Sequence, residues 1–257
     1  HTARIYFKDP SLMGFSATRA LAALSMPAAL LIASCGTADG DEAALEGEPI
    51  AEIAAPEGTK WADQVAVSEY DGYTLGNPEA PIKLVEYASL TCPACAAFAA
   101  TGVEPLKDYI NSGRVSYELR NQIHGPHDLV LATLVRCGAN ESFHPLSDQV
   151  FANQAELLNG VQSNGEAFGR ALQLEENERF PAAAAAAGFY DFFAQRGVSE
   201  DQARACLADF PAMETIANNS TSQGEEFGVT GTPTFMINGR KLDGVLNWGG
   251  LEPALQR

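Results

Sequence analysis

Two cysteines separated by two residues, Cys92-Pro93-Ala94-Cys95, stand between an apolar run and a segment of helical periodicity. The run Ile82–Ala88 (IKLVEYA) is rich in apolar and β-favouring residues and reads as a buried strand. After the pair, Phe98, Val103, Leu106 and Ile110 form an apolar stripe through Pro93–Asn111, with Gly102 and Pro105 predicted to kink that helix. A strand, a cysteine pair and a helix in direct succession put Cys92 at a helix N-terminus. There, unpaired amides and the macrodipole favour a thiolate. Pro93 suits the first turn, where its missing N–H has no partner to lose. Cys95 then falls on the same face, within reach of the first sulfur. Such a pair can attack a disulfide through one sulfur and resolve the mixed disulfide through the other.

The remaining pattern frames this unit. Val65–Tyr73 reads as a first strand, Asn77–Pro81 as a turn and Val115–Leu119 as a further strand. Between Gly125 and Gly228 there is almost no strand signal, only Ala-rich and amphipathic segments. These are Asp128–Cys137, Pro145–Leu158, Gly165–Leu172, Asn177–Gln195, Ser199–Asp209 and Ala212–Phe227. Ser199 with Gln202 suggests a capping box. Asn238-Gly239 between Thr234–Ile237 and Lys241–Val245 is a hairpin signal, and a last helix begins near Leu251. The fold class is α/β: a domain over 65–257 interrupted by a helical insertion at 125–228.

Upstream, Leu21–Ala33 is apolar apart from Ser25 and follows Arg19. Its 13 residues fall short of the roughly 20 that span a bilayer, and suit the core of an export signal. It ends in Ile32-Ala33-Ser34-Cys35, which resembles a bacterial lipobox with Cys35 as the lipidated residue. An ordinary signal with an incidental cysteine is the alternative. Residues 1–34 are thus expected to be a lipoprotein-type signal peptide, with Met13 a plausible start, and 35–64 a flexible acidic tether. Gly36–Gly58 contains no Lys, Arg or aromatic residue and cannot build a core.

The chain carries 16 Lys and Arg against 33 Asp and Glu, a net charge of −17. The leader holds three of those cations and one of the anions, so the remainder is more acidic still. That balance excludes nucleic-acid binding by phosphate neutralisation and docking on anionic lipid heads. Membrane contact is expected through the lipid alone. The five cysteines, an odd number, then divide by task. Cys35 takes the lipid and Cys92 with Cys95 perform exchange. Cys137 and Cys206 in the insertion are candidates for a structural disulfide, with two separate buried thiols the alternative.

Two further features bear on the chemistry. Glu86 lies inside the apolar strand before the pair, where a buried carboxyl has a raised pKa and can exchange a proton with Cys95. An exposed edge position is the other reading, since both flanks are apolar. Gly231-Thr232-Pro233-Thr234 enters a strand, either as a simple turn or as a cis Thr232–Pro233 bond packed against the cysteines with the Thr232 backbone open to substrate.

Taken together, the Glu86 strand, the CPAC at its end, the helical insertion and the segment GVTGTPTFMING resemble the DsbA-like branch of the thioredoxin superfamily over about Tyr73–Arg257. The resemblance implies a thioredoxin fold with an inserted helical subdomain and a periplasmic thiol–disulfide oxidoreductase. Cys92 is then the nucleophile, Cys95 the resolving thiol and Glu86 the buried acid. Thr232 and cis Pro233 contact substrate, and Pro93 and Ala94 are grouped with them. Strongly oxidising members carry histidine between the cysteines. Ala94 offers no such donor, so a less oxidising pair is expected. No cofactor or metal is expected. Cys92, Cys95, His124 and His127 can be written as a zinc pattern, but its His-x₂-His spacing is tighter than usual. The expected partners are exported proteins with thiols or disulfides, and a membrane redox protein that recycles the pair. The chain itself is expected to be monomeric. A reductase or isomerase of the same fold, or a catalytically silent tethered binding module, are the rival readings.

Overall fold

The computed structural model of the chain describes residues 50–256, so the leader, Cys35 and the first part of the tether lie outside the described residues. A single six-stranded sheet organises the rest. Its strands are β1 Val65–Val67, β2 Tyr73–Gly76, β3 Ile82–Ala88, β4 Val115–Asn121, β5 Thr234–Ile237 and β6 Arg240–Lys241. Their order is β1-β2-β4-β3-β5-β6, with β3 and β4 parallel and every other pair antiparallel. Helix α1, Pro93–Asn111, makes the crossover between the two parallel strands. Between β4 and β5 come α2 Pro126–Val135, α3 Phe143–Ala152, α4 Gln154–Ser163, α5 Gly165–Ala171, α6 Glu176–Ala187, α7 Phe189–Ala194, α8 Glu200–Ala208 and α9 Phe210–Glu226. The chain closes with α10, Trp248–Leu255.

The centre of the sheet explains the apolar pattern of β3. Flanked on both sides, it pairs Glu86 with Leu119 of β4 and with Phe235 of β5. Paired residues share a face, so Glu86 lies on the side where Phe98 of α1 meets Phe235, ring centroids 4.7 Å apart. On the opposite side Tyr87 meets Phe227, just beyond α9. Helices therefore cover both faces of the sheet, as a buried parallel pair requires.

Besides the splitting of Pro145–Leu158 into α3 and α4 at Asn153 and of Asn177–Gln195 into α6 and α7 at Gly188, three boundaries differ from the sequence reading. Val65–Tyr73 is not one strand but a hairpin joining β1 to β2. The Ser68 hydroxyl accepts from the N–H groups of Tyr70 and Gly72, and Asp71 takes a left-handed conformation (φ 57°). A serine side chain thus builds the turn that no Asn-Gly announced. The last strand stops at Lys241, and Gly244 turns the chain away at φ 75°.

The third correction concerns the tether, whose final part is docked. Ile53 donates its N–H to Ser112 O at 2.8 Å and accepts from Trp61 Nε1, also at 2.8 Å. Ile50 and Trp61 pack against the core. Gly113, at φ 73°, makes this fit, because a Cβ there would collide with the Ile53 carbonyl and the Trp61 ring. The Ala, Gly and Glu composition misled because two apolar anchors suffice to hold such a segment.

Within the helical block, Cys137, just after α2, is bonded to Cys206 of α8, with Cα atoms 5.9 Å apart. Ser199 caps α8 by accepting from Gln202 N. The Gln202 side chain does not complete the box; it donates to the Cys137 carbonyl instead. Among the described residues no helix is long and apolar enough to cross a membrane.

Candidate active site

Cys92 is the N-cap of α1, with Pro93 in the first turn, so the thiol sits where the helix presents free amides. It is partly exposed, and its Sγ lies 3.2 Å from Thr232 O. Burial pushes the Cys92 thiol up. The contact with Thr232, the Cys95 thiol and the amides of Cys95 and Ala94 outweigh that effect, leaving it below the usual thiol value. Cys95, one turn on, is fully buried. Burial first, then the neighbouring Glu86 and Cys92, hold its thiol far above the ordinary value. The two sulfurs are therefore unlike: one is primed to attack, and the other ionises only when something takes its proton.

Glu86 is the carboxyl that neighbours Cys95. It is 1% exposed. Burial raises its carboxyl to about 8, against the pull of a hydrogen bond from Tyr117. The Tyr117 hydroxyl donates to Glu86 Oε2 at 2.6 Å, and Oε1 has no hydrogen-bond partner. An edge position for Glu86 is thereby excluded, since β3 is flanked on both sides. The Thr232–Pro233 bond is cis, which brings the Thr232 carbonyl against Cys92, and the Thr232 hydroxyl is buried without a partner. Residues 140 positions apart in the chain thus form one surface.

Two positioning residues escaped the sequence reading. Asp128, in the first turn of α2, accepts from Ser89 Oγ at 2.6 Å, Leu90 N at 3.0 Å and His124 N at 2.9 Å. Gln154, at the start of α4, donates to Leu90 O at 2.9 Å and to Cys92 O at 3.0 Å. Both pin the turn between β3 and α1 to the helical insertion. Tyr117 was also missed. An acid followed by a helix is a weak signal for Asp128, and no local signal marks Gln154 or Tyr117.

The histidines have other occupations. His127 packs near Phe168, and the His124 amide serves Asp128. His144 is buried, bonded to Tyr73 O at 3.0 Å, and burial lowers it to about 4. Among the described residues no group of three His, Cys, Asp or Glu is placed to hold a metal.

A family model described as thioredoxin matches residues 68–257. The crystal structure of a protein-disulfide isomerase from Novosphingobium aromaticivorans is 30% identical with a TM-score of 0.66, and the match covers 71% of this chain and 94% of that one. Wolbachia pipientis α-DsbA1 shares the fold at 22% identity and a TM-score of 0.57, over 72% of this chain and 89% of its own. A Rickettsia bellii protein named "Putative protein-disulfide oxidoreductase" is 27% identical over 166 residues, which are 64% of this chain and 56% of that protein. The chain spans about half the length of the curated relatives it matches. With the sheet, the helical insertion and the CPAC–cis-proline pairing described above, the chain belongs to the thioredoxin family.

Proposed function

We propose that the chain is a thiol–disulfide oxidoreductase that exchanges disulfides with exported proteins and works as an oxidase. The observation that carries this reading is the asymmetry of the pair. An accessible, acidified Cys92 lies under the Thr232 carbonyl, and a buried, proton-holding Cys95 stands beside Glu86.

In the oxidase direction the pair begins as a disulfide. A substrate thiolate attacks Cys92 Sγ, the Cys92–Cys95 bond breaks, and Cys95 leaves as a thiolate that takes a proton from Glu86. A second substrate thiolate then attacks the substrate sulfur of the mixed disulfide, and Cys92 leaves as a thiolate stabilised by the α1 amides. Two electrons pass from substrate to protein, and a membrane redox partner removes them. Thr232 and Pro233 pair with the substrate backbone, with Pro93 and Ala94 lining the approach. Since Ala94 adds only its backbone amide, the reduced pair gains less stabilisation than with a histidine there. A redox titration is expected to place it below the strongest oxidants of the family.

The location proposed is the periplasm, with Cys35 lipidated, the chain monomeric and the Cys137–Cys206 bond structural. A second reading, reductase or isomerase, is favoured by the likeness to the Novosphingobium isomerase. Trapping the redox state of Cys92 and Cys95 in intact cells by acid and alkylation separates the two. A mainly oxidised pair supports the oxidase; a mainly reduced pair overturns it for the alternative. Failure of the purified protein to reduce insulin or oxidise a dithiol peptide would leave only a silent binding module.

A further inference from the structure

Glu86 is sealed from solvent by β4, β5 and α1, yet a base that takes or gives a proton in every turnover must exchange it with water. Its one hydrogen-bond partner, Tyr117, lies on the far side of the carboxyl from the unpartnered Oε1. Tyr117 also lines a cleft of 570 Å³ between α1, α3 and the sheet, together with Lys107, His144 and Asp148. Tyr117 therefore holds the buried acid through its hydroxyl and, 6% exposed, forms part of the wall of this cleft. From this geometry we infer that Tyr117 is the proton connection between Glu86 and the cleft, with Asp148 at its mouth. The inference rests on the role given to Glu86 above.

The balance is simple. When Cys95 leaves as a thiolate it takes the proton on Glu86. The Tyr117 hydroxyl passes its own proton to Glu86 Oε2 and recovers one from the cleft, so one proton enters for each Cys95 thiol formed. In reverse, the Cys95 proton leaves by the same atoms. No electron moves in this relay.

The titratable groups acting on Glu86 and Tyr117 are Cys95 of α1 and Asp148 of α3, and the cleft wall adds Asp63, Glu104, Lys107, Glu141 and His144. His144 is held neutral by burial near neutral pH. Asp148 opposes ionisation of Glu86, and its own carboxyl is raised by burial to about 6.

The test is Tyr117→Phe, which keeps the ring and removes only the hydroxyl. Two rates are read across the pH range: single-turnover resolution of a glutathione mixed disulfide on Cys92, and steady-state reduction of insulin by excess dithiothreitol. In the variant, Glu86 loses the donor that favours its charge. The midpoint of the resolution profile is expected to rise by about one pH unit, and the rate near neutrality to fall roughly tenfold. Steady-state turnover is expected to stay roughly tenfold low even at alkaline pH, because protons no longer exchange through the phenol. A turnover plateau that recovers fully above the new midpoint overturns the inference, since Tyr117 then only tunes Glu86. An unmoved midpoint overturns it as well. Glu86→Gln, run beside it, is expected to flatten the profile. If that variant keeps the wild-type limb, it is the role of Glu86 that fails.

Discussion

The buried Glu86 carboxyl, with one short hydrogen bond and a pKa of about 8, bears on stability as well as on the exchange proposed above. Its folded value lies above the ordinary carboxyl value of 4.5, so the native state binds the proton more tightly than the unfolded chain does. This contribution is fully present below about pH 4.5 and is lost as pH rises through about 8. Denaturant unfolding at a series of pH values should show stability declining over that window by a few kcal/mol, with Glu86→Gln removing the decline. His144 works in the opposite sense. Its value falls from 6.5 to about 4, so stability held above pH 6.5 is lost as pH drops through about 4. Substituting His144 by Gln should therefore weaken the dependence on the acid side. Asp148 acts on Glu86 through charge alone. Asp148→Asn should lower the midpoint of the Cys95 resolution profile, opposite to the shift expected for Tyr117→Phe.

Elements of this fold are tied by contacts of very different sequence range, and that range decided what could be read beforehand. The CPAC turn was legible because its signals are local: an apolar strand, an N-cap position and a proline in the first turn. Asn238-Gly239 marked its hairpin for the same reason. Gln154 reaches Cys92 across 62 positions and Tyr117 reaches Glu86 across 31, and no periodicity announces such pairs. The insertion could be recognised as helical, but not that Asp128 and Gln154 use it to hold the turn between β3 and α1.

Removing one of these ties has a calculable effect. Gln154→Ala strands the buried Leu90 carbonyl, while the Cys92 carbonyl keeps the Ala96 N–H, and should lower stability by about 1–3 kcal/mol. It should also slow attack by Cys92 while leaving the Cys137–Cys206 bond intact. Replacing Cys137 and Cys206 together by Ala frees a loop of 69 positions, and chain entropy puts the loss at about 4 kcal/mol. The measurement is a denaturant midpoint. The potential of the Cys92–Cys95 pair should stay where it was, because the bond ties the segment after α2 to α8 and involves neither Cys92 nor Cys95.

At the scale of the whole molecule, the net charge of −17 sets how partners arrive rather than what happens on contact. Dithiol peptides rich in Lys should be oxidised several-fold faster than Glu-rich ones at low ionic strength. The difference should close as salt is raised. Equal rates at low salt would mean that the acidic surface is screened from the approach to Cys92. The docked entry segment adds a matter of orientation. Ile53 is bonded to Ser112, beside the C-terminal end of α1, while Cys92 caps the other end. Nineteen helical residues at 1.5 Å each put these two points about 28 Å apart. Any mooring line that reaches the domain through Ile50 therefore pulls on its stern, and the sulfur rides at the bow. A protein client of the exchange proposed above would meet Cys92 at the end of α1 farthest from that line.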